Sequence, residues 1–170
     1  LEKQLEKSPG DAFVLGRLCA VNRTIDPGKA LAYCRRAAES DPSNIAHAIG
    51  FGAALVQAKM HTEAVALLRR LQPMSPDNVT LRANLATALF QLKRFAEAKA
   101  EYRWITEKMP SSPAAYYFLA IVHDQLTEYE DAMANYQLFL RHADAEKNKL
   151  EIEKVNLRMP VLQKQIKEKK

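Results

Sequence analysis

Glycine is scarce in this chain of 170 residues, at five, and there are only two cysteines and one tryptophan. So little glycine favours helix over strand. Two cysteines cannot build a disulfide framework. No apolar run approaches the roughly 18 to 20 residues that a membrane-spanning helix needs. The first residues also lack the basic-then-apolar layout of a signal peptide. A composition of 48% hydrophobic and 26% charged residues is ordinary for a folded protein and sets aside disorder and collagen. The motifs of common enzyme sites are missing too: no HExxH, no glycine-rich phosphate loop, no G-x-S-x-G and no CxxC. His47, His61, His123 and His142 are scattered without a paired metal spacing. His123 and Asp124 are neighbours, hence about 100° apart on a helix and facing different surroundings. The expectation is a chain with no catalytic residues, no metal and no cofactor.

Charge is present but unevenly placed. The net charge is +5. Residues 146–170 hold eight Lys/Arg against four Glu, whereas residues 1–145 hold 17 Lys/Arg against 16 Asp/Glu. The body is nearly neutral and only its last segment is basic. A nucleic-acid binder should carry a contiguous basic face with stacking aromatics among it. Here Arg35-Arg36, Arg69-Arg70 and Lys93-Arg94 are isolated pairs with acids nearby, so nucleic acid is not the expected partner.

What the chain does have is a period. Pro9, Pro42, Pro76 and Pro110 are separated by 33, 34 and 34 residues. Aligned on them, the chain shows a large apolar column, Leu18, Phe51, Leu85, Leu119, beside a small one, Cys19, Gly52, Ala86, Ala120. Farther on come Ala30, Ala64, Ala98 and Ala132, then Cys34, Leu68, Tyr102 and Tyr136, then Ala37, Leu71, Ile105 and Phe139. Steps of four and three, as in Ala98, Tyr102 and Ile105, mark one face of an α-helix. Each unit therefore reads as two antiparallel helices, with turns at Asp26-Pro27-Gly28, Lys59-Met60-His61, Leu92-Lys93-Arg94 and Leu126-Thr127-Glu128. The polar residues after each proline, such as Ser43-Asn44 and Asp77-Asn78, suit the capping of the next helix. A first turn one residue shorter accounts for the 33-residue interval. Cys19 and Cys34 fall at small apolar positions and read as buried thiols packing as small hydrophobes. Because they lie on facing helices of one hairpin, a bond between them is the alternative.

These columns resemble the tetratricopeptide repeat. The nearest unit is 113–144, through Tyr116, Leu119, Ala120, Tyr129, Ala132 and Tyr136, with Asp144 where the family closes on proline. Unit 79–112 matches at Leu85, Ala86, Leu89, Phe95, Ala98, Tyr102 and Pro110. Unit 45–78 matches at Gly52, Leu55, Ala64 and Pro76, and unit 11–44 at Leu18, Ala30, Ala37 and Pro42. The resemblance implies an all-α, right-handed α-solenoid of four helix-turn-helix repeats with a C-terminal capping helix.

Residues 1–10 read as the remnant of a preceding repeat, and the chain is expected to be a fragment of a longer protein. Residues 145–170 read as the capping helix and a basic tail. Leu150, Leu157, Val161 or Leu162, and Ile166 form its apolar face, and a kink is expected near Pro160. A basic amphipathic helix can also rest on an anionic membrane. Capping is the stronger reading, since the last repeat otherwise leaves its apolar face bare, so a membrane is not an expected partner.

In the family that this chain resembles, the first helices line a concave groove for a peptide of another protein. The matching positions here are Arg17, Ile49, Val56, Asn84, Thr87, Phe90, Tyr117, Ile121 and Asp124. A subclass grips the C-terminal carboxylate tail of heat-shock chaperones with paired Lys, Asn and Arg. With Asn84 as the middle Asn, the flanking pairs are Ile49 with Ala53 and Ala114 with Phe118; shifted back one unit, the middle residue is Gly50. Neither register builds the clamp, so that tail is not an expected partner. The leading expectation is a protein–protein interaction scaffold. The alternatives are a self-assembly module stacking through its N-terminal face, hence a homo-oligomer, and a docking arm of an upstream enzyme.

Overall fold

The computed structural model describes residues 1–169. They form ten α-helices and no strand among the described residues: α1 Glu2–Lys7, α2 Ala12–Ile25, α3 Pro27–Ser40, α4 Ile45–Gln57, α5 His61–Leu71, α6 Val79–Gln91, α7 Phe95–Lys108, α8 Pro113–Gln125, α9 Tyr129–His142 and α10 Lys149–Glu168. A single 3₁₀ turn, Gln72–Met74, follows α5.

The starts of the helices are written in the sequence. Asp11 accepts from the Val14 N–H at 3.1 Å, Asp26 from Lys29 at 3.0 Å, Asn44 from Ala46 at 3.1 Å and Asn78 from Leu81 at 2.9 Å. Each satisfies an N–H that the helix itself cannot. Ser112 makes no such bond; Pro113 begins α8 instead, with its ring already at a helical φ. Three hairpin turns pass through a left-handed residue that is not glycine: Lys59 at φ 61°, Lys93 at 58° and Thr127 at 59°. The first hairpin has no such residue, because Asp26 leads straight into Pro27 at the start of α3.

The chain gathers into two compact units, Leu1–Leu92 and Lys93–Lys170. In the first, α2 packs on α3, α4 on α2, α3, α5 and α6, and α5 on α6. Ala30 and Ala64 are fully buried. A Cβ on Gly52 would lie 2.5 Å from Leu68 Cδ2, so the small column lets α4 and α5 approach. Cys19 and Cys34 are joined in a disulfide between α2 and α3, so the reading of free buried thiols is corrected. Both positions are buried and small, which suits either state. Their Cα atoms stand 4.8 Å apart, within bonding range.

In the second unit, α8 packs between α7 and α9, and α10 packs on α9. Its core joins Ala120, Met133, Tyr136, Phe139, Val155 and Leu162. The stripe that α10 turns inward is Ile152, Val155, Met159, Leu162 and Ile166, at steps of three and four. Leu150, Leu157 and Val161, expected on that stripe, point outward, Leu157 being 78% exposed. Pro160 lies inside the continuous helix and is exposed. On that outer side its missing N–H leaves no buried group unpaired.

Candidate functional site

The nine positions read as a groove fall into three environments. Ile49 and Val56 are buried, at 6% and 9% exposure, on the flank of α4 that lies between α2 and α6. Packing between successive first helices covers most of both; Ile49 keeps only a narrow exposure at the base of a cleft between α2 and α4, and Val56 does not line that cleft. The correction has a simple geometric cause. The column Ile49, Ala53, Val56 and the column containing Gly50 differ by one residue, about 100° of helix rotation. Periodicity alone does not say which of the two faces out.

Arg17 and Asn84 do stand on the more open column. Arg17 is exposed and its guanidinium lies 5.9 Å from the centre of the Phe13 ring. The Asn84 amide donates to the Thr80 carbonyl at 2.8 Å, and the Thr87 hydroxyl to Ala83 at 2.8 Å, so both serve their own helix. Phe90 is half-buried near the end of α6.

Tyr117, Ile121 and Asp124, at steps of four and three on α8, are covered by α10. Tyr117 and Ile121 pack against the cluster that holds Val155 and Leu162. The ring of Tyr117 lies 5.2 Å from that of Phe139, and burial pushes its hydroxyl pKa up. Asp124 receives two hydrogen bonds from the Arg158 guanidinium, Nε to Oδ2 and Nη2 to Oδ1, each 2.7 Å. Arg158 also donates to Gln165 at 2.9 Å. These three residues are therefore the seat of the C-terminal helix and do not form an open groove. Sequence reasoning missed Arg158, whose only signal was a cation at the right point of a capping helix.

Next to them, at the α8–α9 turn, lies a charged cluster that spacing did not announce. His123 Nδ1 is 2.6 Å from Glu128 Oε2, and Lys99 Nζ donates to both Glu128 oxygens at 2.7 and 2.9 Å. Lys99 first, and His123 after it, hold the Glu128 carboxyl below its ordinary range. With Asp131, potential ligand atoms come within 4.8 Å of one another. Lys99 already supplies the positive charge that such a set attracts, so we read the cluster as a clasp between α7, α8 and the start of α9.

One open feature of the first unit is a cleft of about 450 Å³ between α2 and α4. Phe13, Ala20 and Ile49 give it an apolar lining, and Arg17, Arg23 and His47 bring cationic or titratable groups to it. Asn78 and Thr80 stand at its edge. No carboxylate is among the lining residues. Gly16 makes room for His47, since a Cβ there would meet the imidazole Cε1 at 2.7 Å. Of the nine groove positions, only Arg17 and Ile49 line this cleft, Ile49 as part of its floor. Arg23 shares the groove column of Val56, Phe90 and Asp124 and was legible as a polar handle; Phe13 and His47 were outside that reading, and their signal is that they stand on α2 and α4 with it.

Two profiles of the tetratricopeptide repeat match the sequence, over residues 55–108 and 83–147. Together they span more than half of the chain. The chain belongs to the tetratricopeptide-repeat family. Solved structures agree on the fold. MamA, from residue 41 onward, of Desulfovibrio magneticus RS-1 superposes with a TM-score of 0.73 at 17% identity, covering 94% of this chain and 93% of that one. PilF of Pseudomonas aeruginosa gives 0.71 at 22% identity, over 95% of this chain and 80% of its own. YrrB, described as a TPR protein with an unusual peptide-binding site, gives 0.67 at 19% identity, over 83% of this chain and 73% of its own. No curated protein matches the sequence significantly. The fold class is thus an all-α solenoid of helical repeats, a scaffold architecture of protein interaction.

Proposed function

We propose that this tetratricopeptide chain is a non-enzymatic interaction module that holds a segment of a partner protein in the cleft between α2 and α4. The observation that carries the reading is the cleft itself: apolar at its base, with two guanidinium groups and an imidazole around it. Concave, mostly apolar sites with a few polar groups are where proteins hold ligands. YrrB, of the same fold, supports the reading because its own description is of a peptide-binding protein.

Gly50 allows a clean test. A Cβ at Gly50 would sit 3.6 Å from Cys19 Sγ, an ordinary contact, and Gly50 lines the cleft, so Gly50→Phe is expected to block it. Random short peptides displayed on phage should be enriched by the wild-type chain and lost by Gly50→Phe, with unchanged helical circular dichroism. No enrichment, or enrichment indifferent to that substitution, rejects the cleft as the binding site.

One observation favours a second reading, self-association through α2. Val21 is 53% exposed, whereas its counterparts Ala54, Ala88 and Val122 in later repeats are fully buried. Ile25, one turn on, is also exposed. A second copy stacked on this face would cover both. Light scattering over a concentration series should then show growth in mass that Val21→Glu abolishes; a constant monomer mass removes this reading.

A further inference from the structure

The chemistry of the cleft says more than that something binds there. Arg17 and Arg23 come from α2 and His47 from α4, and all three line one cavity with no carboxylate among its walls. That imbalance is local, since residues 1–145 hold 17 Lys/Arg against 16 Asp/Glu. Three other arginines are answered by acids, Arg94 by Glu97, Arg103 by Glu107 and Arg158 by Asp124, while Arg36 and Arg82 donate to the backbone carbonyls of Pro9 and Pro76. Arg17 has the ring of Phe13, and neither Arg17 nor Arg23 has a carboxylate partner among the described residues. One acid, Asp41, interacts with His47, and it is engaged by the Ser43 hydroxyl at 2.7 Å.

A guanidinium is a planar fork of donors whose geometry matches a carboxylate. Two of them left unanswered around an apolar floor match a segment that carries acids on either side of an apolar side chain. Resting on the cleft reading above, we infer that the partner segment is an acidic peptide, its apolar side chain set on Ala20 and Ile49 and its carboxylates on Arg17 and Arg23. Phe13, 68% exposed, supplies a wall that an apolar side chain can lie against. A nucleic acid would need phosphate contacts repeated along a track and stacking aromatics among them. The cleft offers two guanidinium groups and one exposed ring, which suits a peptide better.

The test uses the whole chain and the displayed peptide library. Enriched sequences should be rich in Asp and Glu around a Leu, Ile or Phe. One such peptide, labelled and titrated by fluorescence anisotropy, should bind about tenfold more weakly to Arg17→Gln with Arg23→Gln. Its amide counterpart, with Asn and Gln for Asp and Glu, should lose affinity to a similar degree. Arg17→Lys with Arg23→Lys, which keeps the charge but not the fork, should fall between. Raised salt should weaken the acidic peptide more than the amide one. Enrichment that depends on Gly50 but shows no excess of acids overturns the acidic partner and leaves the cleft reading standing. So does unchanged affinity in the double Gln variant, or displacement of the peptide by a single-stranded oligonucleotide at equal concentration.

Discussion

Leu68 is fully buried, and the space it fills exists because residue 52 has no side chain. Gly52→Ala would place Cβ 2.5 Å from Leu68 Cδ2 and 2.9 Å from its Cγ. Cγ is not the tip of a movable chain, and the surrounding core leaves Leu68 nowhere to go. Overpacking of this kind costs about 1–3 kcal/mol, against about 1 kcal/mol that alanine returns through helix propensity. The variant should therefore lose up to about 2 kcal/mol by urea denaturation, and a net gain would show that α4 and α5 part easily. This role of Gly52 was legible in advance, because it stands in a column of small residues facing a large one. The groove residues were less so. Ile49 satisfies the helical period as well in a packed column as in an open one, and only its neighbours decide. The exposure of Arg17 was legible, because an unpaired guanidinium is costly to bury.

At the level of the element, α10 does for α8 what the first helix of a further repeat would do. It lays Ile152, Val155, Met159, Leu162 and Ile166 over the last hairpin and offers Arg158 to Asp124. The ion pair is partly shielded, with side-chain exposures of 31% and 13%. Arg158→Ala, Asp124→Ala and the double variant should give a coupling of about 1–2 kcal/mol in a stability cycle. Additive losses would mean that the stripe alone seats the helix. The sequence announced a capping helix but not its orientation. Leu150, Leu157 and Val161 make an apolar row as regular as the true one, and both rows are flanked by charges. The choice between them belongs to α8 and α9, whose shape no pattern within α10 encodes.

For the whole molecule, the interval between Pro42, Pro76 and Pro110 was enough to imply stacked hairpins, because each repeat must bury the same face against the next. The disulfide was not decided by that logic, since small buried positions accommodate two thiols or one bond equally. It closes a loop with a sequence separation of 15, for which chain entropy assigns about 3 kcal/mol. Cys19→Ala with Cys34→Ala should therefore lower amide exchange protection within residues 12–40, and undiminished protection would show that packing alone holds that hairpin. The same bond has a consequence for the chain as a covalent object. The turn at Asp26 and Pro27 lies between the two cysteines, so a protease that cuts there severs the backbone without separating the halves. Cleaved and intact chains would keep the same composition and differ by one water in mass. The N-terminal piece would come away only when the bond is reduced.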